Sequence, residues 1–127
     1  MRILFVCTGN SFRSPVAEGL TRKYKPEWEV ESAGVRPAGR IARNAQKFLE
    51  REGCVQYLKS SPDPVTARSI SEADKVVVME NEHVKYLLEN FQIRRDKIEN
   101  WTVEDPINPE VDPTDAFEKI KRKVKSL

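Results

Sequence analysis

Two kinds of apolar pattern alternate along this chain. Short contiguous apolar runs are followed by stretches in which apolar residues recur every three or four positions. The runs at residues 2–7 and 76–79 are almost wholly apolar, which is typical of strands buried on both faces of a parallel sheet. Two weaker strands are predicted at residues 28–34 and 98–101. Four helices are predicted from the following apolar sets: Ala17, Leu20 and Tyr24; Ile41, Ala45, Phe48 and Leu49; Val84, Leu87, Leu88 and Phe91; Phe117, Ile120, Val124 and Leu127. Because strands alternate with helices, the pattern predicts an α/β domain with a parallel sheet covered on both faces.

Three local signals mark where the helices begin and end. Ser14-Pro15 predicts a helix start, with Ser14 as the cap and Pro15 at the first helical position. Asp112-Pro113 predicts the start of the last helix in the same way. Gly53 follows the second helix, where a left-handed glycine commonly ends a helix.

Composition limits the class of protein. The chain has 127 residues, of which 39% are hydrophobic and 33% charged, as expected for one globular domain. The formal net charge of +2 does not indicate a nucleic-acid-binding protein. No apolar run approaches the roughly 20 residues of a membrane span, and no export signal is recognisable, so we expect a cytoplasmic protein without a membrane partner.

The few cysteine and histidine residues limit the possible metal and disulfide chemistry. Cys7 and Cys54 are too few for a disulfide framework, and Cys54 is interpreted as a buried filler of the core. His83 is the single histidine, and it is expected on the polar, solvent-facing side of its helix. We therefore expect no metal site and no cofactor.

Cys7 is the first candidate for chemistry, because it stands at the carboxyl end of the first predicted strand, where open α/β sheets bind ligands. The loop that follows leads into a helix N-terminus, whose N–H groups and dipole attract an anion. Gly9 lets the backbone approach an anion closely, and Arg13 offers a planar pair of donors for phosphate oxygens. These surroundings also favour the thiolate form of Cys7, to which Ser14 can donate a hydrogen bond. The alternative is that Cys7 is a small buried hydrophobic residue and Arg13 a surface charge.

A thiolate that attacks phosphorus needs a proton donor for the leaving oxygen. Asp105 lies just past the fourth predicted strand, on the same edge of the sheet as Cys7, and is the preferred candidate. Asp112 is interpreted as a helix cap and Asp63 as part of a turn. His83 is not favoured, because it is expected at the surface.

The stretch C-T-G-N-S-F-R-S-P at residues 7–15 resembles the phosphate-binding loop of the low-molecular-weight protein tyrosine phosphatases. Residues 32–34, 73–79 and 101–106 resemble three further segments of this family, in the same order along the chain. The resemblance implies that residues 1–127 form one three-layer α/β domain with a four-stranded parallel sheet. It also implies the residues that bind phosphate: Thr8, Gly9, Asn10, Ser11, Phe12, Arg13 and Ser14.

The activity implied by the resemblance is metal-free hydrolysis of phosphotyrosine. Cys7 forms a cysteinyl-phosphate intermediate, Arg13 binds the phosphoryl oxygens, and Asp105 acts first as general acid and then as general base. The substrate is a phosphorylated protein or peptide and the product is inorganic phosphate. We expect a monomer that has no nucleic-acid partner.

Several positions depart from the family pattern. Phe12 stands where many relatives have a second cysteine that can trap the oxidised nucleophile. Ile107 and Asn108, and the segment 35–37, lack the aromatic residues that usually enclose a phenyl ring. Ser11 is closer to the threonine of relatives that hydrolyse phosphoarginine than to the isoleucine of many tyrosine-specific members. A protein arginine phosphatase of the same fold is therefore the alternative function.

Two further functions are weighed. Thioredoxin-linked arsenate reductases share the fold and the loop but need two more downstream cysteines, and residues 55–127 contain none. A non-catalytic module that binds phosphate would not need Cys7, Arg13, Ser14 and Asp105 together.

Overall fold

The computed structural model describes residues 1–127, and a sheet of four parallel strands lies at its centre. The strands are β1 (Arg2–Cys7), β2 (Glu29–Gly34), β3 (Lys75–Val78) and β4 (Ile98–Asn100), in the spatial order β2-β1-β3-β4. The apolar runs become β1 and β3, which are buried on both faces because they form the central pair. The four predicted strands and their parallel arrangement are confirmed.

Five helices connect and cover these strands. They are α1 (Arg13–Tyr24), α2 (Arg43–Arg51), α3 (Ala67–Glu72), α4 (Asn81–Asn90) and α5 (Pro113–Lys125). Short 3-10 turns lie at Val55–Tyr57 and Arg95–Lys97. None of the helices combines the length and the apolar character that a membrane crossing requires.

Two apolar cores lie on opposite faces of the sheet, because successive side chains of a strand point to opposite faces. Ile3 and Phe5 of β1 belong to the larger core, which also contains residues of α1, α2 and α5. Leu4 and Val6 belong to the smaller core, which also contains residues of α3 and α4. This arrangement confirms the predicted three-layer α/β sandwich.

The start of α1 differs from the prediction. The helix begins at Arg13, its cap position is Phe12, and no side chain caps it by a hydrogen bond. Pro15 is therefore the third residue of the helix and not the first. The prediction that Ser14 caps α1 is wrong, because Ser14 already lies within the helix and its hydroxyl bonds to other partners.

The other two helix boundaries agree with the sequence signals. Asp112 caps α5, since its Oδ1 accepts a hydrogen bond from the Thr114 N–H at 2.8 Å. Gly53 follows α2 with a φ of +71°, in the left-handed region that glycine adopts readily.

The carboxyl ends of the strands are level with one another. Cys7 is in register with Gly34 of β2, and Val78 of β3 is in register with Asn100 of β4. A Cβ atom added to Gly34 would lie 2.7 Å from the Thr8 carbonyl oxygen and 2.9 Å from the Asn10 nitrogen. Glycine at this position therefore allows the end of β2 to pack directly against the loop that follows β1.

Candidate active site

The loop of residues 7–14 runs from the end of β1 into the first turn of α1. Cys7, Asn10 and Arg13 are buried, and Asn10 has a left-handed backbone with a φ of 52°. The Cys7 sulfur contacts the Ser14 hydroxyl oxygen at 2.9 Å and accepts a hydrogen bond from the Asn10 N–H at 3.3 Å. Both contacts place a hydrogen-bond donor beside the sulfur.

The Arg13 guanidinium is held at this loop by several acceptors. Nη1 donates to a Glu80 carboxylate oxygen and to the Val103 carbonyl oxygen, the latter at 2.9 Å. Nη2 donates to Thr8 Oγ1 at 3.3 Å and to Asp105 Oδ2 at 3.1 Å. Arg13 is therefore not a surface charge, since it links the loops that follow β1, β3 and β4.

Asp105 lies on the loop between β4 and α5, and its side chain is about one-third exposed. Its second oxygen, Oδ1, accepts a hydrogen bond from the Ile107 N–H at 3.1 Å. Cys7, Arg13 and Asp105 line one cavity of about 370 Å³. The structure thus brings together the three residues for which the sequence predicts a catalytic role.

The other predicted phosphate-loop residues divide between this cavity and the support behind it. Thr8, Gly9, Ser11 and Phe12 line the cavity. Asn10 and Ser14 do not line it, because both are fully buried behind the loop.

A network of polar side chains supports the buried side of the loop. Asn10 Nδ2 donates to Ser14 Oγ at 2.8 Å and to Ser32 Oγ at 3.0 Å. Asn10 Oδ1 accepts from Lys59 Nζ at 2.7 Å and from the Asp63 N–H at 2.8 Å. Asp63 also forms an ion pair with Lys59, so this residue is part of the support and does not reach the cavity.

His83 was expected at the surface, and this prediction is wrong. Its side chain is fully buried, its Nδ1 accepts a hydrogen bond from the Met79 N–H at 3.3 Å, and its Nε2 lies 2.9 Å from Thr8 Oγ1. Since Nδ1 is an acceptor, Nε2 carries the proton and donates it to Thr8. Burial, followed by the positive charge of Arg13, lowers the pKa of His83 to about 4.

Glu80 was missed by the sequence analysis, although it pairs directly with Arg13. A signal was available, because Glu80 lies two residues past β3 on the same edge of the sheet as Cys7. Glu80, Glu82 and His83 are also close enough together to offer ligand atoms to one metal ion. Their atoms have protein partners, however: Glu80 pairs with Arg13, and both ring nitrogens of His83 are hydrogen-bonded.

Among the aromatic residues, Phe12 alone lines the cavity. It packs edge-on against Phe48, whereas Trp101 packs in the core against Phe5. Ile107 also lines the cavity and is 86% exposed. The lining therefore includes one aromatic and one large aliphatic side chain.

Cys54 is fully buried, and burial raises the pKa of its thiol. Its interpretation as a filler of the core is confirmed, since it belongs to the larger apolar cluster.

Comparison with known proteins decides the family. The model of the family described as "Low molecular weight phosphotyrosine protein phosphatase" matches residues 2–127. The chain belongs to this family. As a member of the low molecular weight phosphotyrosine protein phosphatase family, it is a cysteine-dependent phosphatase by class, and the predicted family and fold are confirmed.

The proteins to which this chain is similar are named for three different activities. The solved low molecular weight protein tyrosine phosphatase of T. tengcongensis is 30% identical, with a TM-score of 0.86 over 98% of this chain and 95% of that one. The protein-arginine-phosphatase of Bacillus subtilis is 34% identical over 77% of this chain and 68% of its own length. An arsenate reductase of Oceanobacillus iheyensis is 32% identical over 96% of this chain and 88% of its own length. The chain spans between 55% and 88% of the length of the arsenate reductases that it matches.

Proposed function

We propose that this protein hydrolyses phosphotyrosine in proteins or peptides without a metal or cofactor, with Cys7 as the nucleophile. The observation that carries the proposal is that Cys7, Arg13 and Asp105 line the same cavity at the N-terminus of α1. The positive end of the helix and the guanidinium attract a phosphate dianion to the place that the sulfur faces.

In the first step, the Cys7 thiolate attacks phosphorus and the bond between phosphorus and the leaving oxygen breaks. The proton on Asp105 passes to that oxygen, so the alcohol or phenol leaves as a neutral molecule. Asp105 must be protonated for this step, although it lies 3.1 Å from Arg13. A bound phosphate dianion would compete with Asp105 for the Arg13 guanidinium.

In the second step, the Asp105 carboxylate takes a proton from water, and the water oxygen attacks the phosphocysteine. The bond between sulfur and phosphorus breaks, inorganic phosphate forms, and Cys7 returns to the thiolate state. Ser14 assists this departure, because its hydroxyl lies 2.9 Å from the sulfur and can donate to the thiolate as it forms.

Arg13 serves the transition state by holding the equatorial phosphoryl oxygens with two parallel donors. In this role Arg13 exchanges part of its bonding to Asp105 for bonding to phosphate. Glu80 keeps the guanidinium oriented during the exchange, since it pairs with the other terminal nitrogen, Nη1. We propose that the loop from Thr8 to Ser14 functions in this way as the phosphate-binding loop.

Phosphoarginine is the second candidate substrate, and Ser11 is the observation that favours it. Ser11 lines the cavity and carries a hydroxyl, which resembles the threonine of phosphoarginine-specific relatives. A relative at 34% identity is named protein-arginine-phosphatase. Arsenate reduction is not favoured, because residues 55–127 provide no cysteine to relay the oxidation.

We further propose that residues 1–127 act as one monomeric domain in the cytoplasm. Two free, buried cysteines suit a reducing compartment.

The test is phosphate release from para-nitrophenyl phosphate and from phosphotyrosine and phosphoarginine peptides, with and without a chelator. Cys7→Ser should abolish turnover while the variant still binds vanadate, and Cys54→Ser serves as the matched control. Retention of even one-tenth of the activity by Cys7→Ser would rule out the covalent mechanism. Arg13→Lys should lower kcat and not only raise KM, because lysine cannot present two parallel donors.

A further inference from the structure

Three arginines, Arg36, Arg40 and Arg43, are exposed on the segment that forms one wall of the cavity. The ion pairs of the protein involve none of their guanidinium groups. The residues of this segment that line the cavity are Arg36, Ala38, Ala42 and Asn44. We call residues 36–44 the basic wall.

The basic wall is attached to the phosphate loop by its backbone. Four hydrogen bonds join the two segments: Arg36 N–H to the Thr8 carbonyl at 2.9 Å, Ala38 N–H to the Gly9 carbonyl at 2.8 Å, Ala42 N–H to the Ser11 carbonyl at 3.0 Å, and Ser11 Oγ to the Arg40 carbonyl at 2.8 Å. The three arginines are therefore carried at a fixed position beside the phosphate loop.

The start of α2 adds to the positive charge of the basic wall. Arg43 is the first residue of this helix, which has no side-chain cap and no acidic residue in its first turn. A positive side chain at a helix N-terminus is unfavourable for the helix itself, since the dipole is positive there. This position is explained if an external anion compensates both the arginine and the helix end.

Another part of the cavity lining, on the loop after β4, has the opposite charge. Asp105 lies there, and Glu80, Glu82 and Glu104 lie with it around the neighbouring cavity. A peptide that crosses the opening is therefore attracted through acidic residues on one side and repelled through acidic residues on the other.

We propose that the basic wall binds acidic residues next to the phosphorylated residue of a peptide substrate, so the preferred substrates carry an acidic flank. This inference rests on the proposed phosphatase function and adds the substrate class. One exposed ion pair changes affinity by up to about fivefold, so two or three pairs give a preference on the order of tenfold.

The experiment compares two peptides that differ only in the residues flanking the phosphorylated one, Asp in one peptide and Asn in the other. Each is made with phosphotyrosine and with phosphoarginine, and kcat/KM is measured on the residue type that the enzyme hydrolyses. The wild-type protein should favour the acidic peptide about tenfold at low ionic strength, and the ratio should shrink towards one near 0.5 M salt, where the Debye length is about 4 Å.

The double substitution Arg40→Gln/Arg43→Gln should lower this ratio at least about threefold. Arg95→Gln/Lys125→Gln removes the same charge from exposed positions outside the cavity and should leave the ratio unchanged. Equal wild-type rates on both peptides, or an equal loss of preference in the two double variants, would overturn the proposal. Those results would leave the proposed phosphatase function intact. That function would be excluded only if neither the peptides nor para-nitrophenyl phosphate released phosphate.

Discussion

At the scale of single residues, Cys7 is held in place by side chains that do not themselves line the cavity. Ser14 contacts the sulfur, Asn10 donates to Ser14, and Lys59 donates to Asn10. Lys59 also donates to the Ser32 carbonyl at 2.8 Å, so its ammonium is held by more than one oxygen. The position of the proposed nucleophile is therefore set by a chain of contacts behind the loop of residues 7–14.

Ser14→Ala tests the first contact of that chain. If the hydroxyl stabilises the departing thiolate, kcat should fall by about tenfold or more while KM changes little, because a hydrogen bond to a charged group is worth about 1.5–3 kcal/mol. A burst of phenol release followed by slow turnover should mark the accumulated phosphocysteine. Ser71→Ala removes an exposed hydroxyl from α3 and serves as the control. An unchanged kcat would show that Ser14 has no part in the second step.

Oxidation provides a second prediction at this scale. With Phe12 beside Arg13 in place of a cysteine, mild peroxide should convert Cys7 to sulfenic acid without a rapid internal disulfide. Cys54 is a poor resolving thiol, because burial keeps it protonated and inaccessible. Recovery should require added thiol, and mass spectrometry should detect further oxidation of Cys7. A Cys7–Cys54 disulfide as the main product would contradict this prediction.

At the scale of elements, the segment between β4 and α5 contains two Asp-Pro pairs with different roles. Asp105-Pro106 lies at the cavity, whereas Asp112-Pro113 starts α5. The difference follows from position: Asp105 is five residues past the end of β4, and Asp112 is adjacent to the first residue of α5. The aspartate of the first Asp-Pro pair is therefore a candidate proton donor, whereas the aspartate of the second pair is a helix cap.

Substitution should separate these two roles. Asp112→Ala should lower the free energy of unfolding by about 1 kcal/mol through loss of the cap, with no change in the dependence of rate on the leaving group. Asp115→Ala, which removes a charge from the same helical turn but no cap bond, should cost less. Denaturant unfolding measures both effects.

Asp105→Asn should instead slow substrates with poor leaving groups most. Phosphotyrosine, whose phenol has a pKa of about 10, should lose more rate than para-nitrophenyl phosphate, whose leaving group needs less protonation. The basic limb of the pH–rate profile should flatten in this variant. If Asp112 controlled the leaving-group dependence and Asp105 did not, the proposed general acid would be wrong.

At the scale of the whole molecule, the loops after β1, β3 and β4 depend on one another. Arg13 joins them through Glu80, Val103 and Asp105, and His83 joins α4 to Thr8. Since these loops are far apart along the chain, the site needs β1, β3 and β4 to lie side by side in the sheet. Stability and activity should therefore respond together to changes in this region.

The lowered pKa of His83 predicts how the free energy of unfolding depends on pH. Its pKa of about 4 in the folded protein lies below the ordinary value of 6.5, so the unfolded chain binds more protons between these two pH values. The stability associated with neutral His83 is complete above pH 6.5 and is lost as the pH falls towards about 4, with a total of roughly 3 kcal/mol. Arg13 and Arg36 oppose protonation, whereas Glu82 and Asp105 favour it.

The measurement is urea unfolding at a series of pH values for the wild-type protein and His83→Gln. The wild type should lose more stability than the variant between pH 6.5 and 4, because only the wild type has the buried imidazole. Titrating carboxylates affect both proteins and cancel in the comparison. Parallel curves would show that His83 does not carry this linkage.

Much of the fold and of the site was predictable from local patterns. The apolar runs identify β1 and β3 because a central parallel strand is buried on both faces, and helical spacing identifies the amphipathic helices. The position of Cys7 at a strand end, followed by Arg13 at a helix start, indicates the anion-binding geometry. These features were readable because neighbouring residues in sequence produce them.

The residues that sequence reasoning missed all act across long separations. Glu80 is 67 positions from Arg13, and His83 is 75 positions from Thr8. The local pattern placed His83 on a polar helix face, but the tertiary fold buries it and brings its Nε2 to the Thr8 hydroxyl. Ser14 was misassigned for a different, local reason: the helix begins at Arg13, one residue before Ser14, and the Cys7 thiol and the Asn10 amide within the same loop are the partners of its hydroxyl.

The sequence by itself determined the order along the chain of the four strands and of every helix except α3, the family, and the candidate roles of Cys7, Arg13 and Asp105. Those follow from periodicity, from residue chemistry and from a motif contained in nine consecutive residues, 7–15. Only the tertiary structure decided which groups surround Arg13, that His83 is buried and neutral, and that a segment with three arginines outside any ion pair forms part of the cavity lining through Arg36. The physical reason is that burial and pairing of charges depend on which distant segments meet, and the parallel sheet brings those segments together at its carboxyl edge.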